Sequence, residues 1–146
     1  MSERTVLQSM AQRHVLSLGP QATAYEAACV MTRANCGSVL VLDAEGSMLG
    51  IVTERDLMTR LLAKARDPRS TRLQAIMTPA PQTVPPETRV AEAVLIMIER
   101  GFRHLPVVAG DGRILGVFSA RDALPREVGN AVSMAEFHDR INDALG

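Results

Sequence analysis

Two cysteines are too few for a disulfide framework, and Cys29 and Cys36 are not spaced to form even one bridge. Cys29 falls inside a predicted helix and Cys36 just past its end. About seven residues of helix would hold them roughly 10 Å apart, too far for a disulfide unless the chain turns back. They are expected as two buried thiols in a reducing compartment. No recognisable ligand spacing joins them to His14 or His104, so no metal site is expected. Charge of one sign is lacking too. Sixteen basic and sixteen acidic residues cancel, which argues against a nucleic-acid footprint and against a polybasic membrane anchor. Met1-Ser2-Glu3-Arg4 leads into no signal-peptide core, and no apolar run approaches membrane-spanning length. A cytoplasmic protein is expected. Nucleophile–base pairs and phosphate-transfer loops are absent as well, so the chain does not read as an enzyme.

What is present is a chain of 146 residues, 47% apolar and 22% charged, which suits one compact domain or two small units sharing a core. One short stretch is written twice: Gly50-Ile51-Val52-Thr53-Glu54-Arg55-Asp56, then Gly116-Val117-Phe118-Ser119-Ala120-Arg121-Asp122. Each copy reads as a buried strand running into the first turn of a helix. A hydroxyl residue sits at the N-cap, with a carboxylate three positions later. Two chemistries fit. Thr53…Asp56 and Ser119…Asp122 are ordinary capping boxes, or they form part of a ligand site. A helix start suits phosphate, and an ionised aspartate accepts hydrogen bonds from a sugar diol.

Sliding the chain by 66 residues pairs its halves without a gap. Thr5-Val6-Leu7-Gln8 meets Thr71-Arg72-Leu73-Gln74, Pro20 meets Pro86, and Met31 meets Met97. Val41 falls on Val107, Gly46 on Gly112, and Arg55-Asp56 on Arg121-Asp122. Such self-similarity implies one supersecondary unit used twice, too small to be comfortable alone. Val6, Leu7 and Met10 predict a short helix, and His14 to Leu18 a strand. Thr23 with Glu26 starts a helix that buries Ala24, Ala27 and Met31. Ser38–Leu42 and Met48–Val52 form a hairpin through Asp43-Ala44-Glu45-Gly46. The helix after Thr53 ends near Ala65, and 66–70 is a linker. Val90, Ala93, Val94, Met97 and Ile98 stripe the second repeat's helix. Beyond Pro125 the repeat is over. Ser133…Glu136 boxes the start of a final helix whose Met134, Phe137, Ile141 and Leu145 are expected to pack on the chain itself, a subunit contact being the second reading.

These residues resemble the cystathionine-β-synthase (CBS) domain pair, or Bateman module. The resemblance rests on Ile76-Met77-Thr78-Pro79, Thr83-Val84, Phe102-Arg103-His104-Leu105-Pro106-Val107-Val108 and the duplicated strand–cap stretch. It covers roughly residues 5–124 and is closer in the second copy. It implies an α+β fold of two β-α-β-β-α repeats, 5–66 and 71–124, packed about a pseudo-twofold axis, with 125–146 as a helical tail. It also implies a regulatory module that binds an adenine-containing ligand in clefts between the copies: AMP, ADP, ATP, or in some members S-adenosylmethionine or a dinucleotide. No cofactor is required. Carried over by position, Asp122 and Asp56 match the ribose-binding aspartates. Ser119 and Thr53 match the hydroxyls near the phosphate, where Arg121 and Arg55 add charge. Thr83-Val84 and Ser17-Leu18 match the strand flanking the base. His104 and Pro106 line the second cleft, and Ser38 stands where His104 does in the first.

Two departures make the clefts chemically unequal. Cys36-Gly37-Ser38-Val39-Leu40 replaces Phe102-Arg103-His104-Leu105-Pro106, removing the Arg–His pair and the proline. Leu18-Gly19-Pro20 replaces Val84-Pro85-Pro86, which is expected to loosen the first copy's base-flanking strand. His104 can serve phosphate or simply bond a neighbouring carbonyl. Arg103 reads as a solvated arginine. His138 and Asp139, adjacent on a helix, point apart and read as a solvated face. The alternative function is an assembly module that dimerises or holds a protein partner without nucleotide. A homodimer is expected on either reading, with Leu57, Leu61, Leu62 and Met97 as apolar helix positions left for the contact.

Overall fold

A computed structural model describes residues 3–10 and 14–145. The chain divides into two compact units, Val15–Pro81 and Met1–His14 with Gln82–Gly146. Sequence repeats and spatial units are therefore different partitions. The segment after the linker packs with the first repeat, and the N-terminal segment packs with the second.

In the Val15–Pro81 unit, β1 (Ser17–Leu18) lies parallel to β2 (Ser38–Leu42), which forms an antiparallel hairpin with β3 (Met48–Thr53). Asp43 shapes the hairpin turn: its Oδ1 accepts the N–H groups of Glu45 and Ser47, and Gly46 takes φ +84°. Helix α2 (Ala24–Ala34) starts at Thr23, whose hydroxyl accepts the Glu26 N–H at 3.2 Å, and stops where Asn35 turns left-handed. It lays Ala24, Ala27 and Met31 over Val39, Val41 and Val52. Helix α3 (Glu54–Asp56) continues through a π turn (Leu57–Leu61) and a 3₁₀ turn (Leu62–Lys64), ending at left-handed Ala65. After the linker come α4 (Leu73–Ile76) and β4 (Thr78–Pro79), which pairs antiparallel with β3 and completes a sheet of order β1-β2-β3-β4. Gly50 permits that fourth strand. A Cβ there would lie 2.7 Å from both the Met77 sulfur and the Thr78 carbonyl oxygen.

In the other unit, α1 (Val6–Ser9) and α5 (Val90–Arg100) cover the hairpin of β5 (His104–Val108) and β6 (Ile114–Ser119). Their core holds Val6, Val90, Ala93, Val94, Met97, Leu105, Val107 and Phe118. A 3₁₀ turn (Ala120–Asp122) follows β6, and α6 (Pro125–Leu145) closes the chain.

Several expectations need correction. First, the gapless match slips by one residue at the exchanged segments. Val6 N–H donates to Thr88 O at 2.8 Å, and Leu73 N–H to Ala22 O at 2.9 Å. Thr88 and Ala22 are 66 apart, but Val6 and Leu73 are 67 apart; both are fully buried, so the core sets their equivalence rather than the Thr5/Thr71 identity. Second, the looser base-flanking strand is the second copy's. Leu40 N–H donates to Leu16 O at 3.0 Å, while its counterpart Pro106 has no N–H to give. The second copy keeps only a bridge, Val84 to Val107. Third, no helix follows Ser119 directly. Ala123 is extended, and Pro125 disfavours helical backbone at Leu124, so one 3₁₀ turn is all that forms. Fourth, α6 starts at Pro125 rather than Ser133. Proline suits the first helical position, and Glu127 Oε1 accepts the Leu124 N–H at 2.7 Å as the reciprocal half of a cap. Fifth, most of the stripe is left uncovered: Met134 is half-buried, but Phe137 is 59% exposed and Leu145 82%, and Ala131 is the residue that α6 contributes to the core.

Candidate functional site

Ser119 ends β6 opposite His104 on β5, and the 3₁₀ turn then brings Asp122 back beneath it. The Ser119 hydroxyl accepts the Arg121 N–H at 3.3 Å, and Asp122 Oδ2 accepts the Ser119 N–H at 3.0 Å. Ala120 N–H donates to Arg103 O at 3.0 Å, fixing the turn against the entry to β5. Asp122 and His104 are half-buried, Arg121 and Thr83 are exposed, and Pro106 and Val84 are buried. Val84 N–H donates to Pro106 O at 3.0 Å, which sets the Thr83-Val84 segment beside β5. The second copy therefore gathers Thr83, Val84, His104, Pro106, Ser119, Arg121 and Asp122 within one unit around the end of a three-segment hairpin.

The first copy repeats the frame with different chemistry. Ser38 is opposite Thr53, as His104 is opposite Ser119, but Ser38 is buried. The Thr53 hydroxyl accepts the Asp56 N–H at 3.2 Å, and Asp56 Oδ2 takes the Thr53 N–H at 2.9 Å and its hydroxyl at 3.1 Å. Asp56 Oδ1 takes the Thr78 hydroxyl at 3.3 Å and lies 3.6 Å from Arg60 Nε. With 6% exposure and both oxygens engaged, Asp56 is a sealed carboxylate. Arg60 also donates to the Met77 carbonyl at 2.8 Å, so β4 is latched by the residues that seal Asp56. Ser17 and Arg55 are exposed at the same end of the frame.

Arg4 stands beside the second junction. One guanidinium nitrogen donates to Asp122 O at 3.0 Å and to Glu127 Oε1 at 2.7 Å, and Nε donates to Glu127 Oε2 at 3.1 Å. Hydrogen bonding from Arg4, against the opposing effect of burial, holds the Glu127 carboxyl below its ordinary value. The hydrogen bond to Glu127 raises the Arg4 guanidinium in turn. Sequence reasoning missed Arg4, Arg60, Thr78 and Glu127. Pro125 followed two positions later by Glu127 carried a readable helix-start signal, and Asp56 with Arg60 a readable i,i+4 pair; Arg4 and Thr78 had none, because their partners are distant in sequence.

Elsewhere, Cys29 lies on α2 and Cys36 follows its cap, with no disulfide between them and both half-buried rather than buried as expected. His138 pairs with Glu99 on α5 at 2.9 Å, both about half exposed, rather than with Asp139. Among the described residues no three His, Cys, Asp or Glu side chains gather as a metal site, and no helix is long and apolar enough to cross a membrane.

An α+β chain with a duplicated strand–cap junction, each copy flanked by a short parallel strand or bridge, defines a tandem-repeat module. The CBS domain profile matches residues 7–63 and again 73–128. The chain belongs to the CBS domain family. It is 33% identical over 118 residues, 81% of its length, to an uncharacterized protein of Methanopyrus kandleri. It is 36% identical over 118 residues to a 17.7 kDa protein of Acidianus ambivalens, also uncharacterized. The chain spans 60% of the first relative and 70% of the second. Among solved structures, a CBS-domain protein of Burkholderia ambifaria superposes with a TM-score of 0.75 at 31% identity, covering 80% of this chain and 86% of that one. A CBS domain protein of Pyrobaculum aerophilum, complexed with AMP, shares the fold with a TM-score of 0.77 at 24% identity, covering 90% and 100%.

Proposed function

We propose that the chain is a regulatory module, not an enzyme, that binds an adenine nucleotide at the Ser119–Asp122 junction. The observation that carries this reading is the contrast between its two aspartates. Asp56 is sealed by Thr53, Thr78 and Arg60, whereas Asp122 is half-buried with Oδ2 on the Ser119 amide, beside His104 and Arg121. A ribose diol needs a carboxylate with acceptor capacity to spare. Arg121 and His104 supply the positive and donor groups that a phosphate needs. Ser119 keeps the hydroxyl role, and Thr83-Val84 with Pro106 flank the base. The AMP complex of the Pyrobaculum protein supports the same ligand class. In the first copy Thr53, Arg55, Ser17 and Ser38 form the lesser site. Sensing is then linkage: the nucleotide favours whichever arrangement binds it more tightly, in a homodimer or a regulated partner.

A second reading, assembly without nucleotide, is favoured by the exposed apolar residues of α6. A thermal-shift panel of AMP, ADP, ATP, NAD and S-adenosylmethionine separates the two. A native-state binder at about 100-fold its Kd stabilises by roughly 2.7 kcal/mol. A rise in Tm with at least one nucleotide is expected; no rise with any of them leaves the assembly reading standing.

A further inference from the structure

We propose that Arg4 couples the Asp122 turn to α6, so that occupancy of the junction is reported by the start of that helix. This inference rests on reading Asp122 as the ligand contact. Ala123 and Leu124 are all that separate the turn from Pro125, and Arg4 spans them. On one side it holds the Asp122 carbonyl; on the other it makes a two-pronged bond to Glu127, whose Oε1 also accepts the Leu124 N–H. The Glu127 side chain is 7% exposed, so its position is fixed by burial as well as by bonding. A planar guanidinium paired this way tolerates little change in angle. A ligand that draws on the Asp122 carboxylate pulls on the turn that also carries Asp122 O. Arg4 either loses that carbonyl or shifts with it and disturbs the cap of α6. The first copy has no such device, because Asp56 runs straight into its own helix and Arg60 lies one turn along it.

The test is amide hydrogen exchange at Val128–Ala131, measured in wild type, Asp122→Ala, Arg4→Ala and the double variant. Coupling predicts that Asp122→Ala speeds exchange there by about fivefold or more when Arg4 is present, within the usual range of coupling factors. It predicts less than about twofold when Arg4 is absent. Equal and additive effects overturn the proposal. If Arg4→Ala fails to fold, Arg4→Lys keeps the charge without the two-sided fork, and the same ordering is required of it. Repeating the measurement with AMP, its binding followed by calorimetry, adds a second arm. AMP that binds wild type and leaves Val128–Ala131 unchanged overturns the coupling. AMP that does not bind overturns the site reading, while the four-protein cycle still decides the coupling.

Discussion

The two aspartates occupy the same place in a repeated frame and differ in what surrounds them. Asp56 accepts from Thr53 and Thr78 and faces Arg60, so its removal orphans half-buried hydroxyl and amide donors rather than a ligand. Asp56→Ala should cost about 1–3 kcal/mol in urea unfolding and leave AMP affinity within about twofold of wild type; a stability-neutral Asp56→Ala contradicts this. Both capping boxes were legible because each is closed within three residues. Their inequality was not, because Thr78 comes from β4 and Arg4 from the far end of the chain. Glu127 provides a second residue-scale test. Hydrogen bonding from Arg4 lowers its carboxyl below the ordinary 4.5. The pair's contribution is therefore complete above that ordinary value and is lost as pH falls through the lowered folded value. Urea midpoints of wild type and Glu127→Gln should differ at neutral pH and converge in strong acid. A gap that persists there contradicts the assignment.

Strands and helices were read well where local chemistry decides them. Thr23 starts α2 by its cap and Gly46 closes the Asp43 turn, and the burial of Val39, Val41 and Val52 follows the strand pattern. The failures share one cause, an element whose limits are set by proline or by a distant partner. Pro106 withholds the N–H that would lengthen the strand at Val84, and Pro125 starts α6 eight residues before the Ser133 signal. Strand β4 was invisible because it exists through its fit to Gly50. Gly50→Ala should therefore displace β4, at a cost of about 1–3 kcal/mol for overpacking. Exchange of the β3 and β4 amides should rise with it; unchanged protection of that pair contradicts the close approach.

At the scale of the whole chain, the repeat was legible and the exchange of its flanking segments was not, since a sequence match does not say which copy buries which segment. Of the helix positions expected at a dimer contact, Leu61 and Met97 lie in the cores, while Leu62 is 67% exposed. Light scattering should show a dimer that Leu62→Glu shifts toward monomer; a wild-type monomer across a wide concentration range contradicts the homodimer. On the proposed function, one junction, at Asp122, meets the ribose of an adenine nucleotide. Calorimetry of AMP and its 2′,3′-dideoxy counterpart against wild type and Asp122→Ala tests it most directly. With Asp122 on the ribose, Asp122→Ala should weaken AMP by about 1.5–3 kcal/mol, the worth of hydrogen bonds to a charged group, and the dideoxy compound should discriminate little between the two proteins. AMP bound as tightly by Asp122→Ala as by wild type contradicts it.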